Sequence, residues 1–350
     1  MSSSNSPHSP LSLVIPSQPI PTPPVVLVFA ASDPSSGAGI QADILTLASL
    51  GCHPLTVITA LTVQDTLGVE SVHPIAAELV EAQARTILED IPVAVFKVGV
   101  LGSIENIVTV AQILSDYPDI PLVLDPVLAS GRGDSFSNEA ILDAMRELLL
   151  PQTTVITPNT HEAARLCQFD DDDDAMDMEA EESDPESLLE EHDPDALLPG
   201  ELPPREEETA QTMPDFDRLA AHPRLLNETN PIQPDDEYEQ LAGPLLAMGA
   251  QYVLITGTHA HTPDVCNRLY GEQGLMTAQT WPRLPGNYHG SGCTLASAVA
   301  AGLATGSSVE EACQEAQEYT WQTLANGFRP GMGQFIPDRL FWAREDDKTK

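Results

Sequence analysis

The chain has 350 residues, 42% of them hydrophobic, which supplies core material for one large α/β domain or two small ones and excludes wholesale disorder. Its 53 Asp and Glu against 15 Lys and Arg leave a formal charge of −38, which argues against a nucleic-acid groove or an anionic membrane surface as the main partner. The acidity is concentrated, because residues 170–208 hold 19 acidic side chains and a single basic one, Arg205.

Five cysteines (Cys52, Cys167, Cys266, Cys293 and Cys313) follow no CxxC or metal-ligand spacing, and no Lys or Arg precedes Arg85. A reducing, cytoplasmic setting without a signal peptide is the expectation. Five prolines break the apolar stretch 11–31, so it falls short of the roughly 20 uninterrupted residues of a spanning helix.

Residues 1–24, rich in Ser and Pro, read as a disordered leader. The apolar run 25–31 predicts a buried strand; a glycine-bearing turn and a helix over 40–50, stopped by Gly51, follow. Strands are predicted at 55–63, 93–98, 122–124 and 154–157, with helices over 76–90, 104–115 and 138–149 between them. Alternation of this kind predicts a parallel sheet with helices on both faces. From 169 to 236 acidic residues and prolines replace the periodicity, and the segment reads as a disordered insertion. It divides one domain into 25–168 and 237–345. The second part carries a helix over 238–248, strands at 252–256 and 268–270, and a helix over 293–303 behind a Gly-rich turn.

Three segments carry chemistry. In His289-Gly290-Ser291-Gly292-Cys293-Thr294, small residues precede a strong helix, so backbone amides and the helix dipole can converge on an anion such as a transferring phosphoryl group. Cys293 stands in the same field, which favours a lowered thiol pKa and a general-base role; a plain capping turn with a buried thiol is the alternative. In Thr157-Pro158-Asn159-Thr160-His161-Glu162, Asn159 and Glu162 lie three apart just beyond a strand. They suit either a magnesium site, Asn159 acting through water, or a capping box. In Ser32-Asp33-Pro34-Ser35-Ser36-Gly37-Ala38-Gly39, small residues after the first strand permit close ligand approach, without the spacing of a dinucleotide loop or the ending of a P-loop.

In this order, and together with Ile40-Gln41-Ala42-Asp43, Val57-Ile58-Thr59-Ala60-Leu61-Thr62-Val63-Gln64, Lys97-Val98-Gly99-Val100-Leu101 and Leu124-Asp125-Pro126-Val127, these segments resemble the hydroxymethylpyrimidine/phosphomethylpyrimidine kinases of the ribokinase-like superfamily. The resemblance covers about 25–167 and 238–342. It implies a three-layer α/β sandwich with a mostly parallel sheet, ATP and Mg²⁺, and two successive phosphorylations of 4-amino-5-hydroxymethyl-2-methylpyrimidine. By the same likeness Gly290, Ser291, Gly292 and Cys293 are catalytic. Gln64, Asp43, Gly39, Val63 and Val100 face the substrate; Arg132, Asn159, Thr256 and Gly257 serve the nucleotide; and Glu162, Asn159 and Asp125 serve the metal.

Three departures stand out. Ala31 and Ser36 replace glycines common in the family, Arg132 replaces a lysine displaced by one position, and Thr256-Gly257-Thr258-His259 replaces a Gly-Gly-His turn. Lys97, at a strand end, reads as a structural ion pair. A homodimer is expected, and the acidic insertion is either a solvated loop or a docking segment for a basic protein partner. A pyridoxal kinase and a catalytically idle pyrimidine-binding regulator are the alternatives.

Overall fold

The computed structural model describes residues 22–128, 138–168, 224–225, 236–258 and 262–344. Strand β1 (Val25–Ser32) is buried along nearly its whole length, as a strand covered on both faces requires. It pairs in parallel with β2 (His53–Gln64) on one side and β4 (Val95–Val98) on the other. β5 (Leu122–Leu124), β6 (Val155–Ile156) and β8 (Tyr252–Ile255) extend the parallel set. Antiparallel strands close both flanks, with β3 (Val69–Pro74) beside β2, then β9 (Asp264–Gly271), β10 (Gly274–Pro282) and β7 (Arg224–Leu225) beyond β8. The ten strands run in the order β3-β2-β1-β4-β5-β6-β8-β9-β10-β7.

Alternation along β1 builds the three layers, because Leu27 and Phe29 join one core and Val26, Val28 and Ala30 the other. The first core packs under α2 (Ala77–Asp90), α3 (Ile104–Ser115), α4 (Glu139–Ala144), α5 (Thr160–Cys167) and α6 (Asp236–Ala247). The second packs under α1 (Gly39–Ser49), α7 (Ser291–Ala304) and α8 (Val309–Ala325). The sandwich and its mostly parallel sheet match the expectation.

Sequence periodicity missed β3, β10 and α8, and read only three residues of the eight-residue β9. The helix predicted over 138–149 is α4 followed by a π-helical turn, Met145–Leu149. Within the stretch read as a disordered insertion, Arg224–Leu225 pairs with Thr280 and Gln279 of β10, because that strand would otherwise end the sheet with unpaired backbone groups. The rest of 169–235 and residues 1–21 lie outside the described residues. No helix among the described residues is long and apolar enough to cross a membrane.

Candidate active site

A cleft of about 410 Å³ opens at the carboxyl ends of the parallel strands, where open α/β sheets bind ligands. Its lining includes Asp33 after β1, Val100 after β4, Asp125 after β5, Asn159 after β6 and Thr256 after β8. Across from them stands the N-terminus of α7. Gly290 caps that helix at φ +84°, and a Cβ there would come within 1.9 Å of the Gly37 carbonyl oxygen, so no other residue allows the two turns to touch. Ser291, Gly292 and Cys293 line the cleft, and the first-turn N–H groups of α7 have no intrahelical acceptor. Amides and dipole together make an anion cradle.

The facing turn is shaped by Asp33. Its carboxylate accepts hydrogen bonds from Ser35 N (2.8 Å), Ser35 Oγ (2.9 Å) and Ala38 N (2.7 Å), and meets His289 Nε2 at 2.9 Å. Burial would raise this acid, but His289, the Ala38 N–H and Ser35 hold it at about 2. Ser36 adopts a left-handed φ of 60°, and Ala31 lines the cleft.

Beneath the cradle lies a buried charge cluster. Lys97 Nζ is 3.0 Å from Asp43 Oδ1 and 3.7 Å from Asp125 Oδ2, and Ser297 Oγ donates to Asp43 Oδ1 at 2.7 Å. Burial alone would lower the Lys97 pKa, yet Asp43, Cys293 and Asp125 raise it overall, so the ammonium persists. The expected ion pair is present, and Lys97 also lines the cleft. Asp125 is shifted upward by burial in spite of Lys97. Cys293 departs from expectation. Burial first, and then the Asp125 charge with Asp43 acting the same way, push its thiol well above the usual range, outweighing Lys97 and the Gly39 N–H directed at the sulfur. A helix N-terminus does not make a thiolate beside buried carboxylates.

The two readings of Asn159 and Glu162 coexist. Asn159 Oδ1 accepts from Glu162 N at 2.9 Å, and Glu162 Oε2 accepts from Asn159 N at 3.0 Å, forming a capping box whose two members also line the cleft. Burial and then Asp125 push Glu162 up to about 8. Among the described residues no three His, Cys, Asp or Glu side chains form a metal cage. The donor set is nevertheless suited to a hard cation that keeps its water, since Asp125 Oδ2 is buried without a hydrogen bond, Lys97 standing 3.7 Å away, and burial raises both Asp125 and Glu162, a shift that a bound cation would oppose.

Gly39, Gln64, Val100 and Thr256 line the cleft. Three expectations are corrected. Asp43 is fully buried, turned to Lys97 and Ser297 rather than to a substrate. Val63 is 46% exposed and outside the cleft, since strand alternation sends Thr62 and Gln64 inward. Gly257 is absent from the lining, its N–H given to Asn267 Oδ1 at 3.1 Å; Thr256 and Thr258 take its place. Arg132 lies outside the described residues.

The phosphomethylpyrimidine kinase family model matches residues 33–211 and 219–338. This chain belongs to that family. It is 34% identical to a hydroxymethylpyrimidine/phosphomethylpyrimidine kinase of Streptomyces coelicolor, over 92% of this chain and 96% of the relative. Among solved structures, a phosphomethylpyrimidine kinase of Clostridium difficile is 25% identical with a TM-score of 0.59, covering 86% of this chain and 99% of the other. A pyridoxal kinase of Staphylococcus aureus shares the fold at a TM-score of 0.68 and 24% identity, over 93% and 96% of the two chains.

The far end of this kinase cleft was not legible in the sequence. Gln317 Oε1 accepts from Asn267 Nδ2 (3.0 Å) and Trp281 Nε1 (3.2 Å), and Trp281 stacks on Trp321 with centroids 6.3 Å apart. These residues come from β9, β10 and α8 and form no linear motif. The available signal was the Ser308–Glu311 capping box that starts α8.

Proposed function

We propose that this chain uses ATP to phosphorylate 4-amino-5-hydroxymethyl-2-methylpyrimidine and then its monophosphate, giving the diphosphate used in thiamine diphosphate biosynthesis. The observation that carries the reading is one cleft that holds both a ring-reading amide, Gln64, and the cradle of Gly290, Ser291, Gly292 and Cys293, in a chain of this family.

Each residue then has a task. A primary amide donates and accepts at once, so Gln64 matches an aminopyrimidine edge, while Val100 packs on the ring. The Ser291, Gly292 and Cys293 N–H groups stabilise charge on the transferring phosphoryl without reorganising. Asn159, Glu162 and Asp125 would hold Mg²⁺, which when bound would neutralise phosphate charge and the Asp125 charge that adds to burial in raising the Cys293 thiol. In the first step the substrate hydroxyl oxygen bonds to the γ-phosphorus, the bond to ADP breaks, and the hydroxyl proton passes to the Cys293 sulfur of the chains in which that thiol is ionised, a fraction that grows with pH. In the second step the acceptor is already an ionised phosphate and needs no base.

A coupled assay of ADP release, with the pyrimidine and pyridoxal side by side, tests the reading. Two ADP per pyrimidine consumed is the expected result. Turnover of pyridoxal alone would make the chain a pyridoxal kinase, and pyrimidine binding without turnover would make it a regulator.

A further inference from the structure

Against the cradle, and not among the residues that line the cleft, a guanidinium from the C-terminal segment is buried. Arg339 is 2% exposed. It donates to Gly37 O at 2.6 Å, Thr294 Oγ1 at 3.0 Å, Gly290 O at 3.4 Å and Ser36 O at 3.5 Å. Thr294 Oγ1 passes the contact on, donating to Gly290 O at 2.8 Å. Every acceptor belongs to the turn after β1 or to the first turn of α7. The backbone of Arg339 is fixed in turn, its carbonyl accepting from Tyr319 Oη of α8 at 2.8 Å.

Peptide planarity converts this into a statement about the cradle. In a trans peptide the C=O and the next N–H point in opposite directions. The Gly290 carbonyl accepts the first helical bond of α7 from Thr294 N at 3.0 Å and the guanidinium as a further donor at 3.4 Å, so Arg339 helps to hold it in the direction that turns the Ser291 N–H the other way, toward the cleft that Ser291 lines. The Gly37 carbonyl is held against Gly290 by the same group, at the point where even a methyl would not fit. His289 and Asp33 fasten the two turns on another side, so Arg339 completes a two-point closure.

A purely structural side chain here would not need to be charged. Burying a guanidinium carries a desolvation penalty that an apolar residue of similar volume avoids. The fork geometry explains the choice, since several carbonyls at different angles can be held at once by one planar donor group. We propose that Arg339 is a positioning residue for phosphoryl transfer, locking the turn after β1 and the N-terminus of α7 into one anion cradle. The proposal rests on the anion-cradle reading of residues 290–293.

The test compares the parent protein with Arg339→Met, Arg339→Ala, Arg339→Lys and Thr294→Val, measuring kcat and both KM values for each phosphorylation. Misplacing a preorganised site by about 1 Å costs on the order of 10²-fold in rate. Arg339→Met should therefore lose about 10²-fold in kcat in both steps alike, with the pyrimidine KM within about twofold of the parent, because Gln64 is untouched. Arg339→Lys, a point donor, should recover part of the loss, and low millimolar guanidinium chloride should raise kcat of Arg339→Ala but not of the parent. A kcat within about twofold of the parent in Arg339→Met, or a loss confined to the pyrimidine KM, overturns the proposal. If the Arg339 variants do not fold, Thr294→Val decides, since it keeps the guanidinium and removes one acceptor: a kcat lowered about threefold to tenfold supports the latch and an unchanged kcat overturns it. A parent that turns over no hydroxymethyl acceptor would instead overturn the cradle reading itself.

Discussion

Glu162→Gln should make the magnesium-free protein more stable at neutral pH while costing it phosphoryl transfer. Burial and the Asp125 charge set Glu162 at about 8, against an ordinary value of 4.5. Between those values the folded chain keeps a proton that the unfolded chain has released, so the stability of the parent falls as pH rises through this window. At roughly 1.4 kcal/mol per pH unit, going from about pH 5 to about pH 7 removes about 3 kcal/mol. Glutamine copies the protonated carboxyl, and its oxygen at the third helical position still accepts the Asn159 N–H, so the capping box survives and this slope disappears. Urea unfolding of parent and variant across this range, without divalent cations, should show curves that diverge with rising pH in favour of the variant. Magnesium with ATP should narrow the gap by stabilising the ionised parent. Curves that stay parallel from pH 5 to 7, or a parent that gains on the variant as pH rises, would refute the reasoning.

Cys293→Ala should depress hydroxymethylpyrimidine phosphorylation by about 10²–10⁴-fold and the monophosphate step far less; equal losses in steady-state rates would reduce the thiol to packing. Because its pKa is raised by burial and Asp125, the parent rate for the first step should still be climbing above about pH 8. Gln64→Ala should weaken pyrimidine binding by roughly 1–3 kcal/mol and leave ATP binding unchanged, and calorimetry showing equal losses for both ligands would move Gln64 out of the substrate site. Asp33, held at about 2, stabilises the fold above its ordinary 3.8, and this contribution is lost as pH falls toward 2. Asp33→Asn should thus lower the thermal midpoint at neutral pH with a gap that closes on acidification, and a gap independent of pH would contradict the assignment.

What the sequence showed and what it hid follow from burial geometry. Strands covered on both faces, such as β1, need continuous apolar runs and were read directly. β10 sets two polar residues, Gln279 and Thr280, between Ala278 and Trp281, and β3 is half-exposed, so neither left a run to find. Asp43 was misassigned although its own spacing held the answer: Ile40, Asp43 and Leu47 share one stripe of α1, and all three are buried. The cradle was legible because one helix start compresses it into consecutive residues, with the Gly290 turn requiring glycine. Arg339 was not, since a lone arginine far along the chain announces nothing until the fold brings it against Gly37 and Gly290.

The overall charge of −38 poses a sharper question, because the proposed nucleotide is itself an anion. Fields from remote carboxylates are damped beyond a Debye length of about 8 Å at physiological salt, so an incoming phosphate responds to what lies within that radius. Around the cradle the structure supplies the first-turn amides of α7 and the buried cations Lys97 and Arg339, set against Asp43, Asp125, an Asp33 whose charge is taken up by His289 and the turn's own donors, and a Glu162 whose raised pKa leaves it largely protonated in the absence of a cation. Amide donors add no formal charge, so a cradle built from them leaves no mark on composition. A nucleic-acid groove differs, since it must track many phosphates with many basic side chains and would shift the totals. The same acidic balance can therefore argue against an extended polyanion and stay silent on a single phosphoryl group, which is legible in the sequence as a local glycine motif before a helix and not as a sum over residues.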